Sequence, residues 1–127
     1  MKARRTNPER HIQRAVLGHL KARAYPGVVY WHSPNGGKRN LREAVNLKRD
    51  GVLPGVADLC AVHDGKFFAL ELKSDTGRPT EAQLAFIAAV NSAGGYAGWA
   101  QGLDRALSML CMWGILRPEP HLQEPRP

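Results

Sequence analysis

Cysteine is scarce in this chain, and so are long apolar runs. Its 127 residues hold two cysteines, Cys60 and Cys111. They stand far apart in apolar surroundings, so they are expected as buried free thiols in a reducing compartment, not as a disulfide framework. No Cys/His cluster has zinc spacing. No apolar run approaches the roughly 20 residues of a membrane helix. The basic start, MKARRTNPER, is not followed by an apolar stretch and a cleavage site, so a secretory signal is not expected. Acidic residues are scarce in the first half. Residues 1–50 hold twelve Lys/Arg against three Asp/Glu, and the remainder six against eight, for a net charge of +7. A basic half on a near-neutral core suits a polyanion, most often nucleic acid. A basic surface that only aids solubility is the alternative.

What is present suits one domain. Hydrophobic residues make up 43%, enough for a packed interior. Pro-rich sequence is confined to the end, and the reading is a single domain over residues 1–116 with a disordered tail over 117–127. Asn7 as N-cap and Pro8 at the first helical position predict a helix over 8–24. Ile12, Ala15, Val16, His19 and Leu20 recur along it at helical spacing. A β-type run, Val28–His32, and a polar glycine loop, Ser33–Arg39, follow. Residues 41–48 read equally as a short helix or an ordered loop. Two apolar runs, Val56–Val62 and Lys66–Lys73, are joined through His63-Asp64-Gly65. A helix over 80–93 follows, with Leu84, Ile87, Ala88 and Val90 near one face and Gly94-Gly95 as its stop. A strand over 96–100 and a helix to about Trp113 complete an α/β domain.

The chemistry gathers on the central pair of runs. Asp-Gly between apolar runs is a strong hairpin signal. With Asp64-Gly65 as a two-residue type I′ turn, partners sum to 129, and Asp58 falls opposite Glu71. Cβ atoms of opposed residues lie about 4.5–5.5 Å apart. Two poorly solvated carboxylates at that spacing repel unless something neutralises them, and a hard cation such as Mg²⁺ or Mn²⁺ suits their oxygens. Lys73 is two residues beyond Glu71 and shares its face. Two carboxylates and a lysine on one face suit phosphodiester hydrolysis. A metal polarises the phosphate and acidifies water, and the lysine orients that water or stabilises charge. A solvated Glu-Lys ladder is the bland alternative. It fits poorly, because the runs are apolar on both faces and read as a sheet covered on both sides.

Asp58 with Glu71-Leu72-Lys73 resembles the PD-(D/E)XK nuclease superfamily. PNGGKR (34–39), GVADL (55–59), FFALELKSDTGRPTEAQ (67–83) and the later glycine pair resemble its VRR-NUC branch. The likeness spans roughly residues 9–100. One departure is Ala57, where the superfamily often has Pro; that position shapes backbone and supplies no ligand. The resemblance implies a restriction-endonuclease-like core, a central mixed β-sheet flanked by helices. It implies a structure-selective DNA nuclease using Mg²⁺ or Mn²⁺. Stand-alone phage and bacterial members look like Holliday-junction resolvases and tend to be homodimers, which implies a role in DNA repair or recombination. The implied location is the cytoplasm of a bacterium or a phage-infected host. By position, Asp58, Glu71 and the Leu72 carbonyl would hold metal, Lys73 would be the catalytic lysine, Glu9 would complete the metal site, and Gln83 would be the glutamine of the following helix.

Each secondary residue has a competing reading. Glu9 also suits the helix dipole. Gln83 also completes a capping box with Thr80. Gly36 and Gly37 permit close approach to a phosphate, with Asn35, Lys38 and Arg39 beside them, yet a plain turn reads the same way. His32 either faces the site or is structural. Ser74 and Arg78 are candidates for the substrate path. Arg4, Arg5, Arg10, Arg14 and Lys21 are DNA-backbone candidates as a group. The rival functions are a restriction or flap nuclease on the same core, a non-catalytic basic DNA-binding protein, and a structural subunit docking through its last helix.

Overall fold

The computed structural model describes residues 7–34 and 41–119, the side chains of Leu41 and Ala44 excepted. The elements run α1 (Pro8–Arg23), β1 (Val29–His32), α2 (Leu41–Arg49), β2 (Leu59–His63), β3 (Lys66–Lys73), α3 (Glu81–Ser92), β4 (Tyr96–Gln101) and α4 (Gly102–Met112). The open segment 41–48 is therefore helical. The four strands form one sheet in the order β1-β2-β3-β4. The first two pairings are antiparallel and β3–β4 is parallel, so the sheet is mixed.

The hairpin follows from its turn. Asp64 and Gly65 both take positive φ, 50° and 73°, as a type I′ turn requires. His63 then pairs with Lys66 and Leu59 with Leu70, which is the expected register. The strand itself is shorter than the apolar run. β2 starts at Leu59: the chain turns at Pro54-Gly55 and bends again at Asp58, which sits one residue outside the ladder.

Alternation along β2 and β3 builds a core on each face. Leu59, Ala61, Phe68, Leu70 and Leu72 pack with Val16 and Leu20 of α1 and Ala106 and Leu110 of α4. Ala57, Cys60 and Ala69 pack on the opposite face with Phe67, Ala97 and Phe86 of α3. The face of α3 differs from the expected one. Leu84 is 46% exposed and Ala88 is exposed, while Gln83, Phe86, Ile87 and Val90 form the inward stripe. That stripe keeps i, i+3, i+4, i+7 spacing but admits a polar residue, which is why apolar periodicity misplaced it.

Both cysteines are free; Cys60 is buried, whereas Cys111 is only half-buried. Burial pushes the Cys60 thiol up from its ordinary value. Residues 117–119, placed at sequence level in the tail, are tied to α1. The Arg117 N–H donates to the Arg23 carbonyl at 2.9 Å, and Glu119 lies 3.6 Å from the Arg23 guanidinium. Residues 120–127 fall outside the described residues. Among the described residues no helix is long and apolar enough to cross a membrane.

Candidate active site

Asp58 joins three strands. Its N–H donates to Glu71 Oε2 at 3.3 Å, and its Oδ2 accepts from the Leu72 N–H at 3.0 Å. Where the β2–β3 ladder stops, two carboxylates thus take over hydrogen bonds that carbonyls would otherwise make. On its other side the Asp58 carbonyl accepts from the Ser33 N–H at 2.8 Å, one step beyond the β1–β2 pairing.

Glu71 is buried, 2% exposed. Its Oε1 accepts from Gln83 Nε2 at 2.8 Å and lies 3.6 Å from Lys73 Nζ. Its carboxyl is pushed up to about 8, first by burial and next by the Asp58 carboxylate beside it, while Lys73 pulls the other way. The Asp58 carboxylate thus favours a protonated Glu71, in the direction expected for two opposed carboxyl groups. Lys73, also buried, stands between two carboxylates, with Glu9 Oε1 at 3.5 Å. Glu9 occupies the first turn of α1, where Asn7 caps the helix through the Arg10 N–H. This placement brings the end of α1 over the end of β3.

Gln83 combines its two competing readings. Its Oε1 accepts from the Thr80 N–H at 2.8 Å while its N–H donates to Thr80 Oγ1, a complete capping box. Its Nε2 is left for Glu71. The cap fixes the rotamer that delivers the amide to the carboxylate. Gly55 sets the distance between them. A Cβ there would lie 2.3 Å from the Ala82 carbonyl oxygen, and φ is +79°, so only glycine lets α3 pack this close to the turn before Asp58.

These groups line one cleft of about 490 Å³. Asp58, Glu71, Lys73 and Gln83 line it together with Glu9, Arg10, His32 and Pro34. Asn7 and Gln13 are further lining residues that sequence reasoning did not assign to the site. Gln13 had a signal, since it lies four residues beyond Glu9 and shares its helix face. His32 is brought to the site, with Nδ1 2.9 Å from the Asp58 carbonyl. Arg14 and Arg78 are exposed and Ser74 is half-buried; none of them lines the cleft. Arg4, Arg5, Asn35, Gly36, Gly37, Lys38 and Arg39 lie outside the described residues.

The donor set can be tested against a divalent cation. Among the described residues no three His, Cys, Asp or Glu side chains converge as a closed metal cage. Mg²⁺ needs no such cage, because it is commonly held by one or two carboxylates and keeps several waters. Asp58 and Glu71 supply two oxygen-bearing groups whose mutual repulsion a cation would relieve. Leu72 adds a carbonyl on the same side, since the N–H and C=O of one extended residue leave by the same strand edge and its N–H already meets Asp58. The residues present therefore fit a hard divalent cation.

No protein-family model and no curated protein matches the chain. Solved structures do. A protein named "VRR_NUC domain protein" superposes with a TM-score of 0.70 at 23% identity, covering 91% of this chain and all of its own. Another, named "VRR_NUC domain", gives 0.55 at 16% identity, covering 84% of this chain and 97% of its own. The chain has the fold these proteins share, a mixed four-stranded sheet flanked by helices.

Proposed function

We propose that this chain, with its VRR-NUC fold, is a metal-dependent endonuclease that hydrolyses phosphodiester bonds in DNA, acting at four-way junctions or other branched structures. The observation that carries the reading is buried Glu71 hydrogen-bonded to half-buried Asp58 and flanked by Lys73, all three lining one cleft. Its fold agrees with that of the structures named "VRR_NUC domain protein" and "VRR_NUC domain".

Asp58, Glu71 and the Leu72 carbonyl would hold Mg²⁺ or Mn²⁺; Glu9, expected from the sequence to complete the shell, instead pairs with Lys73 beside them. Such a cation, when bound, supplies positive charge to a phosphate oxygen and lowers the pKa of water. The remaining work falls to the chain. Lys73 carries an ammonium between Glu9 and Glu71, within reach of a phosphate or an attacking water in the cleft. It stabilises negative charge as it develops there. Gln83 orients Glu71. Arg10 at the rim offers a guanidinium to the DNA backbone. Ser74, Arg78 and Arg14 would extend that contact beyond the cleft, and Asn35, Gly36, Gly37, Lys38 and Arg39 remain DNA-contact candidates on their sequence alone. Junction choice and a homodimer go together, because paired symmetric cuts need two sites related by a dyad. The setting is DNA repair or recombination in a bacterial or phage-infected cytoplasm.

The test uses synthetic four-way junction, flap and linear duplex DNA with Mg²⁺, Mn²⁺ or EDTA. The expected result is metal-dependent cutting, strongest on branched DNA, by a protein of dimeric mass. Glu71→Ala and Lys73→Ala should each lose at least about 100-fold in cleavage and keep most DNA binding. No cutting of any substrate with either metal would overturn the nuclease reading. Normal cutting by both variants would overturn this site.

A further inference from the structure

We infer that His32 is a positioning residue for Asp58, acting through the Asp58 main chain; the inference rests on the nuclease reading for its consequence and on geometry for itself. β2 begins at Leu59, so Asp58 has no ladder partner on β3, and among the described residues its hydrogen bonds to that strand run through carboxylates. Any swing of the 58–59 peptide moves the Asp58 carboxylate and loosens its bond to Leu72.

The opposite side of that peptide is anchored twice. The Asp58 carbonyl receives the Ser33 N–H at 2.8 Å and His32 Nδ1 at 2.9 Å. A carbonyl oxygen can only accept, so His32 must carry its hydrogen on Nδ1. The ring is thereby fixed as one tautomer at the end of the edge strand β1. The Ser33 bond is ordinary sheet pairing and any residue but proline provides it. The His32 bond is a side-chain addition that an apolar residue at this position would not make. Outer groups that orient ligating carboxylates commonly change metal affinity or activity by about 10–100-fold when removed.

Three substitutions separate this role from others. In His32→Asn the amide nitrogen sits on the γ carbon, as Nδ1 does, and can still reach the Asp58 carbonyl. In His32→Gln it lies one bond further out, near the place of Nε2. His32→Ala removes both. The tautomer is read by ¹⁵N–¹H correlation of the histidine side chains in metal-free protein, in alkaline buffer. Mn²⁺ affinity is read by calorimetry, and kcat and KM on a four-way junction.

The expected result is the Nδ1–H tautomer. His32→Ala should bind Mn²⁺ about 10-fold more weakly and lose about 10-fold or more in kcat, with KM little changed. His32→Asn should recover most of both losses and His32→Gln should not. An Nε2–H tautomer overturns the inference, as does an alanine variant equal to wild type in affinity and kcat. Rescue by Gln and not Asn also overturns it, because His32 would then touch substrate through Nε2. Wild-type protein that neither binds Mn²⁺ nor cuts DNA would sink the nuclease reading, while the tautomer would still decide whether His32 holds Asp58.

Discussion

At the scale of single residues, Glu71 is where the opposing forces meet. Its carboxyl is held near 8, against an ordinary 4.5, by burial and by Asp58. Between those values the folded chain keeps a proton that the unfolded chain has released. Stability is therefore fully present below about 4.5 and falls as pH rises through about 8. In EDTA the melting temperature should drop across that window, by the equivalent of a few kcal/mol at about 1.4 kcal/mol per unit. Glu71→Gln, which cannot ionise, should flatten the profile; a melting temperature that rises with pH in wild type would contradict the assignment. Gln83 gives a second residue-scale test, because its cap and its contact with Glu71 use different atoms. Gln83→Glu keeps an acceptor for the Thr80 N–H but sets a second carboxylate against Glu71. It should melt close to wild type below neutral pH, yet cut DNA poorly. Gln83→Ala should lose the contact with Glu71 and one of the two bonds of the capping box, the latter at about 0.5–1.5 kcal/mol. Equal activity in wild type and Gln83→Glu would show that the amide is needed only for the cap.

At the scale of elements, the hairpin was legible because a turn determines a register. Asp64-Gly65 permits positive φ at both positions, and every pair from His63–Lys66 to Leu59–Leu70 follows. The site inherited that legibility, since Glu71 and Lys73 alternate on one face. Asp58 was only half legible. Its place opposite Glu71 follows from the register, but the bend at Asp58 that keeps it outside the strand, and its hydrogen bonds, come from neither local pattern nor propensity. The partners of Glu9 and His32 were hidden for the same reason: α1 and β1 meet β3 and Asp58 only through long-range packing. The inward face of α3 was misjudged because a half-buried glutamine serving a carboxylate has no apolar signature. Gly55 ties these elements together. Gly55→Ala would place a methyl group within 2.3 Å of the Ala82 carbonyl oxygen at a φ of +79°. Left-handed backbone costs about 1–2 kcal/mol and overpacking a further 1–3 kcal/mol. The variant should melt well below wild type by calorimetry, and any folded protein should lose activity because Gln83 shifts away from Glu71. A melting temperature within a degree of wild type would show that α3 does not bear on that turn.

At the scale of the molecule, charge and cleft must be considered together. The first 50 residues carry the excess of Lys and Arg, and α1 brings part of that excess to the site. Its basic residues are not equivalent. Arg23 is engaged with Glu119 and the Arg117 carbonyl, so it is committed to the fold. Arg14 is exposed away from the cleft, and Arg10 lines it beside Glu9. If the chain meets DNA through this surface, affinity should fall linearly in log–log form with salt, by about 0.9 for each phosphate neutralised. Arg10→Ala should then reduce the slope by about 1 and weaken all DNA substrates alike, because a phosphate contact carries no sequence information. It should also lower cleavage more than binding, since a phosphate displaced in the cleft is displaced from Asp58 and Lys73 as well. Arg14→Ala should change the slope no more than Arg10→Ala and leave the cleavage rate of bound DNA unchanged. Fluorescence anisotropy over a salt series, paired with single-turnover cleavage, measures both quantities. If Arg14→Ala slows single-turnover cutting and Arg10→Ala does not, DNA approaches by another face and the cleft lined by α1 is not the path to the reacting phosphate.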